Sequence, residues 1–305
     1  MIDPNGADLV PVPIEARASL PAPPNPDLGP DLVGLREEAQ ALLGHPGFDI
    51  AMRAFCTALP NFHAGHFSAR TGVVDTVTFA IAVLVIHLDR ASPLGANASL
   101  LVKICRQGRL AGAAATRNAI SSLRCFGMIE ALEDAPKGCA HRLRPTPALI
   151  DAMQQNLAVR LAAMEPVVSW PKPAADWART DGVLAAFVGR NFAAYRDDGF
   201  KLYNDFPEVA FFMDRHCGYH LLLEALGQVE ASPEGAAAAL RLSLIADKFA
   251  VSRAHVRKLF SEAAARGWLN FAQGGRLSIA PEAFARLRLW IGYEFAWARR
   301  LIAPQ

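Results

Sequence analysis

No stretch of this 305-residue chain approaches the roughly 20 apolar residues that a bilayer-crossing helix needs. The most apolar run, Val77 to Ile86, is short enough to be a buried helix, so no membrane partner is expected. Cysteine is scarce: Cys56, Cys105, Cys125, Cys139 and Cys217 are odd in number and form no C-x-x-C pair, which argues against a disulfide framework and fits a reducing cytoplasm. Residues 1–30 hold eight prolines and no apolar core, so they read as an extended or disordered arm rather than a secretory leader. The chain also has no Walker loop, no dinucleotide-binding fingerprint and no G-x-S-x-G, and no acid–base pair stands out. An enzyme is therefore not expected, and no cofactor is implied. A net charge of +2 is too small to suggest nucleic acid by itself, so any such signal has to be local.

A local signal is present between Leu242 and Pro281. Leu242, Ile245 and Phe249 recur at helical spacing, and Ser252 then stands where a hydroxyl can cap the next helix. The helix from Arg253 has an inner stripe of Val256, Leu259, Phe260 and Ala263, with Arg253, His255, Arg257, Lys258 and Ser261 left for the outside. Gly267 ends it, Trp268 to Phe271 alternate like a strand, Gln273-Gly274-Gly275 is a turn, and Arg276 to Ile279 return. Pro281 suits the first turn of a further helix. Between Arg241 and Arg276 seven Lys and Arg residues face only Asp247 and Glu262. Two short helices followed by a hairpin make a winged helix-turn-helix, whose second helix reads base edges while the wing grips phosphate. The same fold also serves in protein contacts, so fold alone does not decide the function.

The chain repeats itself. Ala91 to Leu100 and Ala231 to Leu240 agree at seven of ten positions, at an offset of 140 residues. That offset continues from Arg117 to Arg257 and from Gly127 to Gly267. Past the hairpins it becomes 134, matching Arg142 to Arg276 and Pro147 to Pro281, so the first hairpin is six residues longer. A duplicated unit follows, with Leu100 to Gln107 as its first helix and Ala113 to Cys125 as its reading helix. The first copy offers Thr116, Arg117, Asn118 and Ser121, with Lys137, His141, Arg142 and Arg144 on its wing. The expected fold is thus mainly α with small β wings: tandem winged helix-turn-helix domains with flanking helices. The divisions are an arm at 1–30, a first domain at 31–165, a Pro-rich linker at 166–180 and a second domain at 181–305. Helices are expected at Leu32 to Leu43, Phe48 to Leu59, Val74 to Asp89, Pro147 to Met164, Asp181 to Tyr195, Glu208 to Leu226 and Pro281 to Leu301. The last is more apolar than one small domain requires, so it packs within the chain or across a homodimer.

The strand running straight into a helix through Pro145-Thr146-Pro147-Ala148, and again through Ile279-Ala280-Pro281-Glu282, resembles the MarR family of bacterial transcription regulators. The resemblance covers about residues 76–164 and 208–301. It implies regulation of transcription through double-stranded DNA. Members of the family are normally homodimers with one reader per chain on palindromic operators, often released by small aromatic anions. This chain departs in holding two readers and in the missing Asp-x-Arg wing pattern, Gly274-Gly275-Arg276 standing there, and the residues name no effector. The leading expectation is a sequence-specific regulator with two unlike readers in a pseudo-dimer. The alternatives are a plasmid- or phage-type replication initiator with tandem winged helices and a winged-helix protein-interaction module. His216 with His220, and His63 with His66, have ligand-like spacings, but neither has the further ligands of a metal site, and no metal is expected. Cys139, between Lys137 and His141, has the basic neighbours that favour thiolate but no resolving cysteine nearby in sequence.

Overall fold

The computed structural model describes residues 31–67, 73, 75–92, 95–132, 142–198, 202–203, 205–232 and 235–302. The Pro-rich arm and the hairpin-tip residues Lys137, Cys139 and His141 lie outside the described residues. The chain is mainly helical with two small antiparallel sheets. Four of its helices begin where a short polar side chain takes up one of the first free backbone N–H groups. Asp75 accepts from the Thr78 N–H at the start of α3 (Thr76–Ala91), and Asn97 accepts from Leu100 at the start of α4 (Ala98–Gln107). Ahead of these lie α1 (Asp31–Leu43) and α2 (Phe48–Phe62); after them come α5 (Ala113–Cys125), the hairpin β1 (Ile129–Ala131) and β2 (Leu143–Pro145), and the long α6 (Pro147–Met164). The second half repeats the order. It runs through α7 (Ala174–Arg179), α8 (Val183–Asp198), α9 (Pro207–Met213), α10 (Gly218–Gln228), β3 (Glu230–Ser232), β4 (Gly235–Ala239), α11 (Leu242–Lys248), α12 (Arg253–Ala265), β5 (Asn270–Ala272), β6 (Arg276–Ile279) and α13 (Pro281–Ile302).

The hairpins keep the repeat's register. Ile129 faces Pro145, and the 140 and 134 offsets carry that pair to Leu269 and Ile279, one step along the ladder on which Asn270 faces Ser278. The six extra residues of the first hairpin therefore lie at its tip. Packing is reciprocal as well. By the same offsets α1 corresponds to α7, α2 to α8, α3 to α10 and α6 to α13. The contact of α1 with α13 recurs as α7 with α6, α2 with α10 recurs as α8 with α3, and α2 with α6 recurs as α8 with α13.

Each core consequently draws helices from both halves. One gathers α1 and α2 around α9 to α13, with Phe48, Phe55, Phe212, Phe260, Trp290 and Phe295 almost fully buried. The other gathers α7 and α8 around α3 to α6. Residues 31–62 thus share a core with 206–298, across the division expected at 166–180. That Pro-rich stretch is itself packed: Val168, Ala174 and Ala178 are buried, and the Trp170 indole donates to the Leu161 carbonyl at 3.0 Å. The apolar faces of α13 are likewise covered within the chain, which removes the reason for expecting a homodimer through the C-terminal helix.

One local expectation is corrected. The single helix expected at Glu208 to Leu226 is broken between α9 and α10, where Cys217 takes φ +54° and Gly218 packs so tightly that a Cβ there would sit 1.9 Å from the Phe212 carbonyl oxygen. His216 falls in that turn, so it does not share a helix with His220. The alanines of 236–239, good helix formers, instead lie in β4, whose backbone pairs with β6 on one side and β3 on the other. Among the described residues of the first half, an isolated bridge from Ala96 to Leu143 occupies that place.

The bends between the paired helices carry strain. Arg109 and Ala250 adopt φ +51° and +52°, a region that costs a residue with a Cβ roughly 1 kcal/mol. Ala250 is exposed, so its methyl packs on little. Ala250→Gly is expected to raise stability by about 0.5–1 kcal/mol in urea denaturation; a loss would mean that the bend is not strained.

Candidate nucleic-acid interface

The second helix pair, α11 and α12, is built as its sequence implies. The Ser252 hydroxyl accepts from the His255 N–H at 3.0 Å, and Val256, Leu259, Phe260 and Ala263 are buried against the core. That fixes the rotation of α12 and leaves Arg253, Arg257, Lys258 and Ser261 exposed on one face. Lys258 reaches Glu262 only loosely, at 3.9 Å. In the hairpin that follows, Arg276 stands at the start of β6, opposite the small Ala239 and Ala272. Arg253, Arg257 and Arg276 are exposed, and none is in a salt bridge with a described residue.

Other cations from the local cluster are held. Lys248 binds Glu224, and Arg266 lies 4.6 Å over the Phe211 ring while donating to the Glu262 carbonyl. His255 is also engaged: it is partly buried, with its Nε2 3.0 Å from the His216 carbonyl oxygen. This contact ties α12 to the turn between α9 and α10 and removes His255 from the freely presented set.

The first helix pair differs. Arg117, Asn118 and Ser121 are exposed on α5 as expected. Thr116 is not. It is fully buried, and its hydroxyl donates to the Gly112 carbonyl at 3.0 Å, so it cannot meet a base edge. The repeat carries the warning, because Thr116 occupies the place of the buried Val256. The wing needs correction too. The Arg142 guanidinium bonds Asp89 at 3.1 Å with its chain laid against Gly95, and Arg144 is paired with Glu130. The second unit has Val229 and Asn270 at the places of Asp89 and Glu130, so Arg276 meets no such carboxylate. Lys137, also expected on this wing, lies outside the described residues.

A second group of polar residues lies between the halves, and none of its members was expected as a site. Arg160 of α6 meets Glu294 of α13 at 3.4 Å and donates to Asn156 at 3.3 Å. Arg160 and Glu294 stand at the 134 offset, so each pairs with its own equivalent. Two charges among Leu157, Leu161, Ile291 and Phe295 were the available signal. The Tyr219 hydroxyl lies near both charges. Its own titration is pushed up, first by burial. His63 and His220 stack with ring centroids 3.6 Å apart. Burial, then the neighbouring His216, lowers the His63 pKa from 6.5 to about 4. Burial, then His63, Arg160 and Lys248, holds His220 well below 6.5. The two sequence-spaced histidine pairs are thus recombined into one neutral stack. Among the described residues no three His, Cys, Asp or Glu are grouped to hold a metal, and no helix is long and apolar enough to cross a membrane. Comparison with family models, with curated proteins and with solved structures finds no match for this chain.

Proposed function

We propose that the chain is a sequence-specific DNA-binding regulator of transcription, built as an intrachain pseudo-dimer of two unlike MarR-like winged helix-turn-helix units. One observation carries the reading. Arg253, Arg257, Lys258 and Ser261 stand together on the outer face of α12, whose rotation is fixed by a buried stripe, and Arg276 is exposed on the hairpin of the same unit. Exposed guanidinium groups without carboxylate partners suit base edges and phosphates. The first unit contributes Arg117, Asn118 and Ser121, and its wing arginines are already neutralised within the chain. The second unit therefore supplies most of the affinity, and the two units prefer different half-sites.

Selection of bound sequences from random DNA, with the mass of the complex, tests this. The expected product is one chain on a site with unlike halves; a single perfect palindrome bound by one chain would refute the pseudo-dimer reading. On the selected site, Arg253→Ala and Arg257→Ala are each expected to weaken binding by about 1–3 kcal/mol. Arg276→Ala is expected to reduce the salt dependence by about one counterion. Arg142→Ala is expected to leave that slope unchanged, because its guanidinium is held by Asp89. If the α12 variants bind the selected site like the parent in anisotropy titrations, α12 is not the reader.

A further inference from the structure

The described wing arginines of the first unit are already neutralised, Arg142 by Asp89 and Arg144 by Glu130. Around its helix pair the charge is of one sign. Between Asp89 and Glu130 stand Arg90, Lys103, Arg106, Arg109, Arg117 and Arg124, and no Asp or Glu. Cations at that density repel one another in the compact chain, and an anionic partner relieves the repulsion. On α4 the burial of Leu101 and Cys105 turns the opposite face to solvent, and Ser99, Lys103, Arg106 and Gln107 are exposed along it at helical spacing. Lys103 and Arg106 make no salt bridge with a described residue.

The second unit is built differently at the same place. Leu110 donates its N–H to the Cys105 carbonyl with Arg109 at φ +51°, and Val251 donates to the Ala246 carbonyl with Ala250 at φ +52°. The bends therefore correspond at an offset of 141, which sets Lys103 against Leu244 and Arg106 against Asp247. Leu244 and Asp247 are exposed as well, so one patch of surface is cationic in the first unit and apolar and acidic in the second. The wings are the reverse, with Arg276 exposed and Arg142 and Arg144 held by carboxylates. In a helix-turn-helix the first helix crosses the phosphate backbone while the second enters the groove. From these observations we infer that the exposed face of α4, through Lys103 and Arg106, is a binding site for the backbone phosphates of duplex DNA. It takes in the first unit the place that the wing holds in the second. The inference rests on the DNA-binding reading above and adds contacts that carry no sequence information.

The test titrates the full chain by anisotropy with the selected site and with a scrambled duplex over a series of salt concentrations. The double variant Lys103→Ala, Arg106→Ala is expected to lower the salt slope by about two on both duplexes and to leave the preference between them unchanged. Lys103→Arg, Arg106→Lys keeps both charges and is expected to keep the parent slope, which a packing role for these exposed side chains would not require. A parent slope retained by the alanine variant, a loss confined to the selected site, or a slope lost in the charge-keeping variant would each overturn the inference while parent binding, and with it the DNA-binding reading, stands. A parent chain that binds neither duplex would overturn both.

Discussion

Arg160→Leu alone is expected to lower stability by roughly 3 kcal/mol, and Glu294→Leu alone by a similar amount, because each leaves a charge buried without its counter-ion. The 15% of each side chain that remains accessible keeps the expectation at the low end of the range for buried pairs. The double variant Arg160→Leu, Glu294→Leu is expected to recover most of the loss, since a buried ion pair repays little beyond its own desolvation. Urea denaturation of the four proteins gives the coupling directly. Single variants within 0.5 kcal/mol of the parent would mean that water reaches the pair and that it is not buried as described.

Acidification supplies the second large effect. Both stacked histidines titrate lower in the folded chain than in the unfolded one, so between pH 6.5 and about 4 the unfolded chain binds more protons. The stability they support is complete above about pH 6.5 and is lost as pH falls toward 4. For His63 the interval from 6.5 to about 4 corresponds to roughly 3 kcal/mol at its acid end. A His63→Phe, His220→Phe chain is expected to show a flatter dependence of stability on pH in that window. The readout is the slope, because the level will also move with packing. A slope equal to the parent's would assign the acid response to other groups.

Much of the fold was legible because its determinants are local. Ser252, Gly267 and Pro281 mark helix ends by side-chain or backbone chemistry that needs no partner, and α12 and α13 begin where those residues put them. The repeat supplied the first unit, down to the bounds of α5. What sequence reasoning missed depends on contacts made at a distance. The break before Gly218 exists because a carbonyl from α9 approaches it, and β4 is a strand because β6 and β3 bracket it. The exchange of α1 and α7 between cores left no local trace, since an amphipathic helix does not specify which core will cover it. At the candidate site the exposed arginines of α12 were readable from periodicity. The neutralisation of Arg142 was not, because Asp89 lies 53 residues away on helix α3.

The pairing of Arg160 with its own equivalent has a further consequence. Two identical half-length chains packed in this way would set that position against itself, burying either two arginines or two glutamates. Opposite charges at one place are open only to a molecule that carries both copies and can change them separately. Carrying both copies on one chain therefore does more than hold two units together: neither position has to suit a twin identical to itself. With these unlike charges neither half can pair with a copy of itself at this contact, and the linked arrangement is the one both halves fit.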